Sequence, residues 1–189
     1  GRILGNIEKS DKYNTTREIF WASGSCFIIR KSIFKLLNGF DEDFFCHMEE
    51  IDLCWRLKNL DSSYKIITIG KANVFHVGGG TMQYGGNRKN YLNFRNSLVM
   101  LIKNLPKKYF IFSLFLRFIS DLFILIFSVL LFRFGLSFSI LSAYYFNILN
   151  FRKSLSKRKK VLGSYKYFIC FSILINYYFF GKKTFFSIK

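Results

Sequence analysis

The sequence predicts an α/β layered domain followed by a helical region associated with a membrane. Up to residue 90, short apolar runs alternate with short amphipathic ones, which is the pattern of strands alternating with helices. From residue 91 the apolar residues recur at helical spacing. Residues 101–189 also hold 17 of the 25 phenylalanines, and their only acid is Asp121, against 15 Lys and Arg. We therefore divide the chain into residues 1–90 and residues 91–189.

Turn-forming residues and apolar periodicity place the elements of the first region. Asn38-Gly39 is a typical helix terminator, because both residues tolerate the left-handed conformation. Three carboxylates follow at the start of the longest helix, where the helix dipole favours negative charge. In that helix we expect most apolar residues to face inward and Lys58 to face outward. The predicted order is a loop over 1–20, a buried strand over 22–29, a short helix over 31–37, an acidic and aromatic loop over 41–45, a helix over 49–60, and strands over 64–69 and 73–77.

The second region is predicted to be helical. An amphipathic helix runs from Tyr91 to Leu105 and ends before Pro106, the only proline. Arg117 and Asp121 are spaced to pair on one helix face. Three apolar stretches follow, over 110–132, 134–151 and 167–180, with a basic run at 157–160. Because a spanning helix needs about 20 apolar residues, we expect either one or two spanning helices or helices that lie in the membrane plane.

The net charge of +18 favours an anionic partner. The basic residues flank long apolar runs, so we expect an anionic membrane and no nucleic acid. The four cysteines, Cys26, Cys46, Cys54 and Cys170, contain no CxxC pair, so we interpret them as reduced core residues of a cytosol-facing protein.

The acidic cluster Glu49, Glu50 and Asp52 is the strongest candidate for chemistry, because carboxylates so close to apolar bulk are typical of working groups. Favourable charges on a solvated helix end are the alternative. Arg56 is spaced for a simple intrahelical salt bridge with Asp52 or for binding an anion. His76 precedes the triple glycine 78–80, whose backbone amides could cradle an anion.

The motifs WASGSCFIIR, GFDEDFFCHMEEIDLCWRL and VFHVGGGT together resemble the acceptor-side half of family 2 glycosyltransferases, inverting enzymes with the GT-A fold. The segment NYLNFRNSLVMLIKNLP and the basic tail resemble bacterial members that act on cell-surface polysaccharide. The similarity extends over nearly the whole chain. Two departures are Glu50, where the family usually has Asp, and Asn38, where it usually has Gly.

The resemblance implies transfer of a sugar, hexosyl or deoxyhexosyl, from a nucleotide-diphospho-sugar to a glycan or lipid-linked acceptor. It makes Glu50 the base, with Glu49 and Asp52 shaping its surroundings. It places Arg56 and His76 at the diphosphate, with His76 also a ligand of a divalent metal, Mn or Mg. The implied acceptor-binding residues are Trp21, Ser23, Gly24 and Asp41. The alternative interpretations are an ordinary core position for Trp21 and a capped loop for Asp41.

The family's donor half, with its Asp-x-Asp metal motif, is expected before residue 1, and that half is expected to hold most of the metal ligands. We therefore expect the 189 residues alone to be inactive, and the complete enzyme to lie at the cytoplasmic face of the bacterial inner membrane. The rival hypothesis is a non-catalytic, membrane-anchored accessory protein whose residues 1–90 form a small cap. A reading frame that continues upstream into a strand with an Asp-x-Asp motif would favour the enzyme.

Overall fold

The computed structural model describes residues 2–3, 6–7, 14–72, 74–75, 86–162, 176–177 and 180–183. Within these residues, short strands and helices lead into four consecutive helices. The order is β1 (Arg2–Ile3), β2 (Asn6–Ile7), β3 (Arg17–Ile19), α1 (Lys31–Leu36), a 3₁₀ turn (Glu42–Phe44), α2 (Glu49–Leu60), β4 (Ile66–Thr68), α3 (Asn87–Asn104), α4 (Lys107–Leu130), α5 (Phe134–Leu149) and α6 (Phe151–Ser156).

Strands β3 and β4 form an antiparallel pair in which Ile19 lies opposite Ile66. Ile66 is buried in a core with residues of α2 and the end of α1, among them Leu37, Leu53 and Leu57. The loop predicted over 1–20 is therefore wrong at β3 and at the β1–β2 pair. The strand predicted over 64–69 is confirmed at its centre. Its partner lies 47 to 51 positions earlier in the chain, so local sequence could not reveal the pairing.

The buried strand predicted over 22–29 is wrong. The segment turns at residues 24–25, where the amide of Ser25 donates to Ser23 Oγ and the two hydroxyls contact each other at 3.0 Å. Such side-chain bonds to nearby backbone compete with a strand ladder. Ile28 is 99% exposed, whereas Phe27 packs partly against the core. Cys26 is also exposed, which corrects its placement in the core.

Helices α1 and α2 follow the prediction closely. Asn38 and Gly39 have φ values of 59° and 66°, so the expected terminator ends α1. Helix α2 has the predicted bounds, but Lys58 does not face outward. Its side chain is fully buried, and Nζ contacts Glu18 Oε1 at 2.6 Å and donates to the carbonyl of Tyr64 at 2.7 Å. The ammonium thus ties α2 to the edge of the β3–β4 pair.

Helix α3 ends just before Pro106, as predicted, and it packs on α2, α4, α5 and α6. A second core cluster forms where α3 meets α2 and the 3₁₀ turn, with Phe44, Trp55, Val99 and Leu105 at its centre. The amide of Asn59 on α2 donates to the carbonyl of Asn104 on α3. The division of the chain near residue 90 stays a prediction.

Helices α4 and α5 form a hairpin with a large apolar surface. Only 6% of the most apolar 18-residue window of α4 is buried within the structure. With a rise of about 1.5 Å per residue, α4 is about 36 Å long, enough for a hydrocarbon core of about 30 Å, and α5 is about 24 Å long, which is too short. By length and composition alone, α4 is the single candidate span among the described residues.

Arg117 and Asp121, the two charged residues beyond the first turn of α4, are paired as predicted. Arg117 Nε contacts Asp121 Oδ2 at 2.7 Å, and Tyr144 of α5 donates to the same oxygen. The hydroxyls of Ser128 and Ser137 meet at 2.7 Å nearer the hairpin turn. Two pairs of polar side chains therefore meet across the contact between α4 and α5, whereas many apolar side chains of the hairpin are exposed.

The basic run after α6 binds this protein's own groups. Lys157 contacts Asp41 and Asp43, and Arg158 donates to the carbonyls of Ile102 and Leu105. Half of this run is thus engaged within the protein, which reduces the charge left for a membrane surface. The stretch predicted over 167–180 and the strand over 73–77 lie largely outside the described residues, and the described residues 74–75 are not in a strand.

A small antiparallel sheet beside helices agrees with the α/β prediction in its broad form, although the described part of the chain is mostly helical. Both strand pairs that the structure describes are antiparallel. The more specific GT-A assignment stays a prediction.

Candidate functional site

The candidate site lies at the first turn of α2, where Glu49 and Glu50 form what we call the open acid pair. Both residues are partly exposed, yet the Oε2 atom of each is buried. Neither Oε2 atom has a hydrogen-bond partner among the described residues, and the same is true of His47 Nε2. Buried polar atoms are normally paired, so these three atoms mark a place where a ligand or another part of the chain would bind.

The loop over residues 21–25 lies against the open acid pair. A Cβ atom built on Gly24 would stand 3.5 Å from Glu50 Cδ, which is ordinary contact distance. Ser23 is exposed, and the Trp21 ring is 42% exposed, so Trp21 is not the ordinary core residue that was the alternative interpretation. The fold therefore brings the predicted base next to Gly24, one of the four residues predicted to bind the acceptor, and Ser23 is its neighbour in the chain.

Burial raises the pKa of Glu49 above its ordinary value, and the negative charge of Glu50 raises it further. A raised pKa means that the folded protein holds the proton of Glu49 more tightly than water-exposed glutamate does. A charged His47 would act in the opposite direction on the same group. The sequence analysis did not single out His47, although its position two residues before the acid pair was an available signal.

Asp52, the third acid of the cluster, is enclosed on every side. Its side chain is fully buried and receives Arg56 Nε at 2.8 Å, Lys103 Nζ at 2.8 Å and Asn104 Nδ2 at 2.7 Å. Both carboxylate oxygens are therefore occupied by partners from α2 and α3. This geometry favours a structural role for Asp52 and gives it no free oxygen for a substrate.

Arg56 makes the intrahelical salt bridge and two further bonds. Its guanidinium donates to the carbonyls of Leu37 and Gly39, at 2.5 and 2.8 Å, and so joins the end of α1 to α2. A cavity of about 40 Å³ beside it is lined partly by lysines. Ligand sites usually occupy several hundred Å³, so the described residues leave little room for a nucleoside diphosphate at Arg56.

Asp41 and Asp43 extend these contacts to α3 and α6. Lys103 and Lys157 contact the Asp41 carboxylate, and Lys153 and Lys157 contact that of Asp43. Burial alone would raise the pKa of both acids, but the lysine hydrogen bonds hold the pKa of each below its usual range. We call the whole set the closed ion network: Asp41, Asp43, Asp52, Arg56, Lys103, Asn104, Lys153 and Lys157.

The predicted acceptor contact through Asp41 would have to compete with these lysines. His76 and the triple glycine 78–80 lie outside the described residues. Within the described part of the chain, no three His, Cys, Asp or Glu side chains are grouped so that they could hold a metal ion. These residues therefore do not form a complete metal site by themselves.

Comparisons with known proteins point to rhamnosyltransferases. A 60-residue segment, 32% of this chain and 19% of the relative, is 38% identical to N-acetylglucosaminyl-diphospho-decaprenol L-rhamnosyltransferase of Mycobacterium tuberculosis. A 51-residue segment, 27% of this chain and 19% of the relative, is 43% identical to rhamnosyltransferase WbbL of Escherichia coli K12. The match thus spans about a fifth of these relatives and about a third of this chain, less than the resemblance extends by motif. No protein-family model and no solved structure matches the chain.

Proposed function

We propose that this chain carries the acceptor side of an inverting family 2 glycosyltransferase with the GT-A fold, which acts in cell-surface polysaccharide synthesis. The observation that carries the proposal is the open acid pair, in which each residue has a buried oxygen without a described partner and the Glu50 side chain lies against Gly24 of the exposed loop over 21–25. Because the matched relatives are rhamnosyltransferases, the proposed donor is a nucleoside-diphospho-L-rhamnose. A glycan or a sugar-diphospho-polyprenol is the proposed acceptor.

In the proposed mechanism, Glu50 takes the proton of the acceptor hydroxyl. The hydroxyl oxygen forms a bond to the anomeric carbon, while the bond from that carbon to the diphosphate breaks on the opposite face. The Oε2 atom of Glu50 suits this role, since it has no described partner. Glu49 lies beside it and keeps the local field negative, and the exposed Trp21 ring offers a face on which a sugar could stack.

The closed ion network holds in place the helix that carries this site. Asp52 and Arg56 fix α2 to α1 and α3, which holds the first turn of α2 in place. The assignments of Arg56 and His76 to the diphosphate, of His76 to a divalent Mn or Mg ion, and of Asp41 to the acceptor stay proposals, and those of Arg56 and Asp41 require a ligand to replace some of their present partners. The step described above depends on none of them.

We also propose that the protein lies at the cytoplasmic face of a bacterial inner membrane, with α4 inserted. The length of α4 and its exposed apolar surface support this placement. A membrane position would bring the open acid pair close to a lipid-linked acceptor. Recovery of the protein from the full reading frame in the soluble fraction, at ordinary salt and without detergent, would contradict it.

The test uses protein expressed from the full reading frame, in membranes supplied with nucleoside-diphospho-L-rhamnose and N-acetylglucosaminyl-diphospho-polyprenol. Glu50→Gln keeps the shape of the side chain and removes the base, so the rate should fall by about 10²–10⁴-fold. Asp61→Asn is the control, because it removes an exposed carboxylate at the other end of the same helix.

Three outcomes would count against the proposal. Unchanged turnover in Glu50→Gln together with inactivity of Glu49→Gln would move the base to Glu49. Unchanged turnover in both variants would remove the acid pair from the mechanism. If the wild-type protein transfers no sugar, the result favours the alternative, a non-catalytic accessory protein. We expect residues 1–189 alone to show no transfer.

A further inference from the structure

Helix α3 holds the loop that leads into the open acid pair through two adjacent residues, Arg95 and Asn96. Asn96 is fully buried, and its Nδ2 atom lies 2.9, 2.8 and 2.8 Å from the carbonyl oxygens of Phe44, Cys46 and His47. One amide group thus gathers three carbonyls from four consecutive residues. No feature of the sequence analysis pointed to this contact, which joins residues about 50 positions apart.

Arg95 fixes the orientation of that amide and adds two contacts. Its Nε atom donates to Asn96 Oδ1 at 2.7 Å, so the NH₂ group of Asn96 must face the carbonyls. Its Nη2 atom donates to the carbonyls of Asp43 and Phe44 at 2.8 and 2.9 Å. The guanidinium in turn lies over the Phe146 ring of α5 at 5.0 Å. Arg95 and Asn96 therefore act as one rigid set of donors.

The loop they hold has an unfavourable backbone. Phe45, His47 and Met48 have φ values of 62°, 68° and 74°, a region that residues with a side chain rarely adopt. At Phe45, ψ is −63° and the amide of Cys46 donates to the carbonyl of Phe44, which is the rare, strained form of the γ-turn. Such a backbone persists only where surrounding contacts over-determine it, and Glu49 follows it directly.

We propose that Arg95 and Asn96 are positioning residues that keep the loop over 43–48 in this conformation and thereby aim the carboxylates of Glu49 and Glu50. They touch neither carboxylate, and they act through the backbone that enters the first turn of α2. The catalytic part of this inference rests on the proposed function, whereas the part that concerns the loop does not. A hydrogen-exchange measurement separates the two.

The decisive variant is Asn96→Asp, in the protein from its full reading frame in nanodiscs. It keeps the size of the side chain and the acceptor for Arg95, but it turns an oxygen toward the three carbonyls. Amide exchange over 43–50 should become at least about tenfold faster than in the wild type, because the loop opens locally. Ser97→Ala is the control, since Ser97 is also buried and, among the described residues, its hydroxyl donates to the carbonyl of Phe94 in its own helix.

Acidification provides a rescue that a general loss of packing would not give. When the new carboxyl of Asn96→Asp binds a proton, it regains one donor, so exchange over 43–50 should slow toward the wild-type rate measured at the same pH.

For rhamnosyl transfer by Asn96→Asp, kcat should fall by about 10²-fold with little change in the KM of the donor, since a displacement of about 1 Å of a reacting group has such an effect. Exchange over α4 should not change.

Each result decides a part of the inference. Wild-type exchange over 43–50 in Asn96→Asp overturns it, and so does fast exchange with an unchanged kcat in an active enzyme. If the wild-type protein transfers no sugar, the proposed function fails. The exchange rates over 43–50 then test by themselves whether Arg95 and Asn96 keep the loop in its conformation. If Asn96→Asp loses its thermal unfolding transition, Arg95→Lys replaces it, because lysine keeps the charge and loses the forked contacts.

Discussion

The open acid pair and Asp52 of the closed ion network lie within one turn of helix α2, yet their carboxylates have opposite surroundings. Asp52 has both oxygens bound by partners on α2 and α3, whereas Glu49 and Glu50 each keep a buried oxygen without a described partner. Closeness in sequence therefore does not imply a shared role. The sequence groups three acids in one cluster. In the structure Asp52 holds α2 to its neighbours, whereas Glu49 and Glu50 remain available for chemistry.

The largest effect on stability should come from breaking the closed ion network at Lys103. Its ammonium is buried between Asp41 and Asp52 and lies 4.8 Å from the centre of the Phe44 ring. Lys103→Met leaves a buried charge with fewer partners, so the free energy of unfolding should fall by about 3–5 kcal/mol. Chemical denaturation in detergent measures this change.

The control for this variant is Lys159→Met, which removes an exposed lysine with the same change in side chain. It should alter the free energy of unfolding by less than about 0.5 kcal/mol. If Lys103→Met is equally mild, the network is not a structural support, and the contrast with the open acid pair disappears.

A smaller effect is expected at Lys58, on the face of α2 that we predicted to be exposed. Lys58→Gln removes an ammonium that meets Glu18 and the Tyr64 carbonyl, and the free energy of unfolding should fall by about 1–3 kcal/mol. Glu18 is 47% exposed, so most of this loss should come from the carbonyl left without its partner. Lys35→Gln, at an exposed position of α1, is the matched control. Equal stability of the two variants would restore the original outward placement.

The elements that could be predicted are those fixed by local chemistry. The bounds of α2, the terminator at Asn38-Gly39 and the end of α3 before Pro106 all follow from residues within a few positions of each other. The i,i+4 pairs of Arg56 with Asp52 and of Arg117 with Asp121 belong to the same class.

The features that could not be predicted depend on partners far along the chain. Lys58 is buried because Glu18, 40 positions earlier, lies against it, and a charged residue alone gives no sign of that. The run over 22–29 is apolar enough for a strand, but its Ser-Gly-Ser turn decides its shape. The contacts of Asn96 with the loop over 43–48 depend on how α3 packs, which sequence periodicity cannot show.

The smallest expected effect is the pH dependence of the free energy of unfolding. It is the sharpest test of the contrast, because its sign differs between the open acid pair and the closed ion network. The pKa of Glu49 is raised by burial first and then by the charge of Glu50. The folded state therefore binds this proton more tightly than the unfolded state, whose pKa is near 4.5. The ionised side chain thus lowers stability at neutral pH, and that cost disappears as the pH falls below 4.5. Glu49→Gln should raise the free energy of unfolding at pH 7, with no gain at pH 4.

Asp43 should behave in the opposite way. Although burial acts to raise it, the hydrogen bonds from Lys157 and Lys153 hold the pKa of Asp43 below its ordinary value of 3.8. Its ionised form therefore stabilises the fold above pH 3.8, and this stabilisation is lost as the pH falls through the lowered pKa. Asp43→Asn should lower the free energy of unfolding at pH 7, and the difference from the wild type should shrink below pH 3.8. Urea titrations measure the difference for Glu49→Gln at pH 7 and pH 4, and the difference for Asp43→Asn at pH 7 and at a pH below 3.8. If Glu49→Gln also lowers stability at pH 7, Glu49 belongs with the structural acids, and Glu50 alone would remain as the open group.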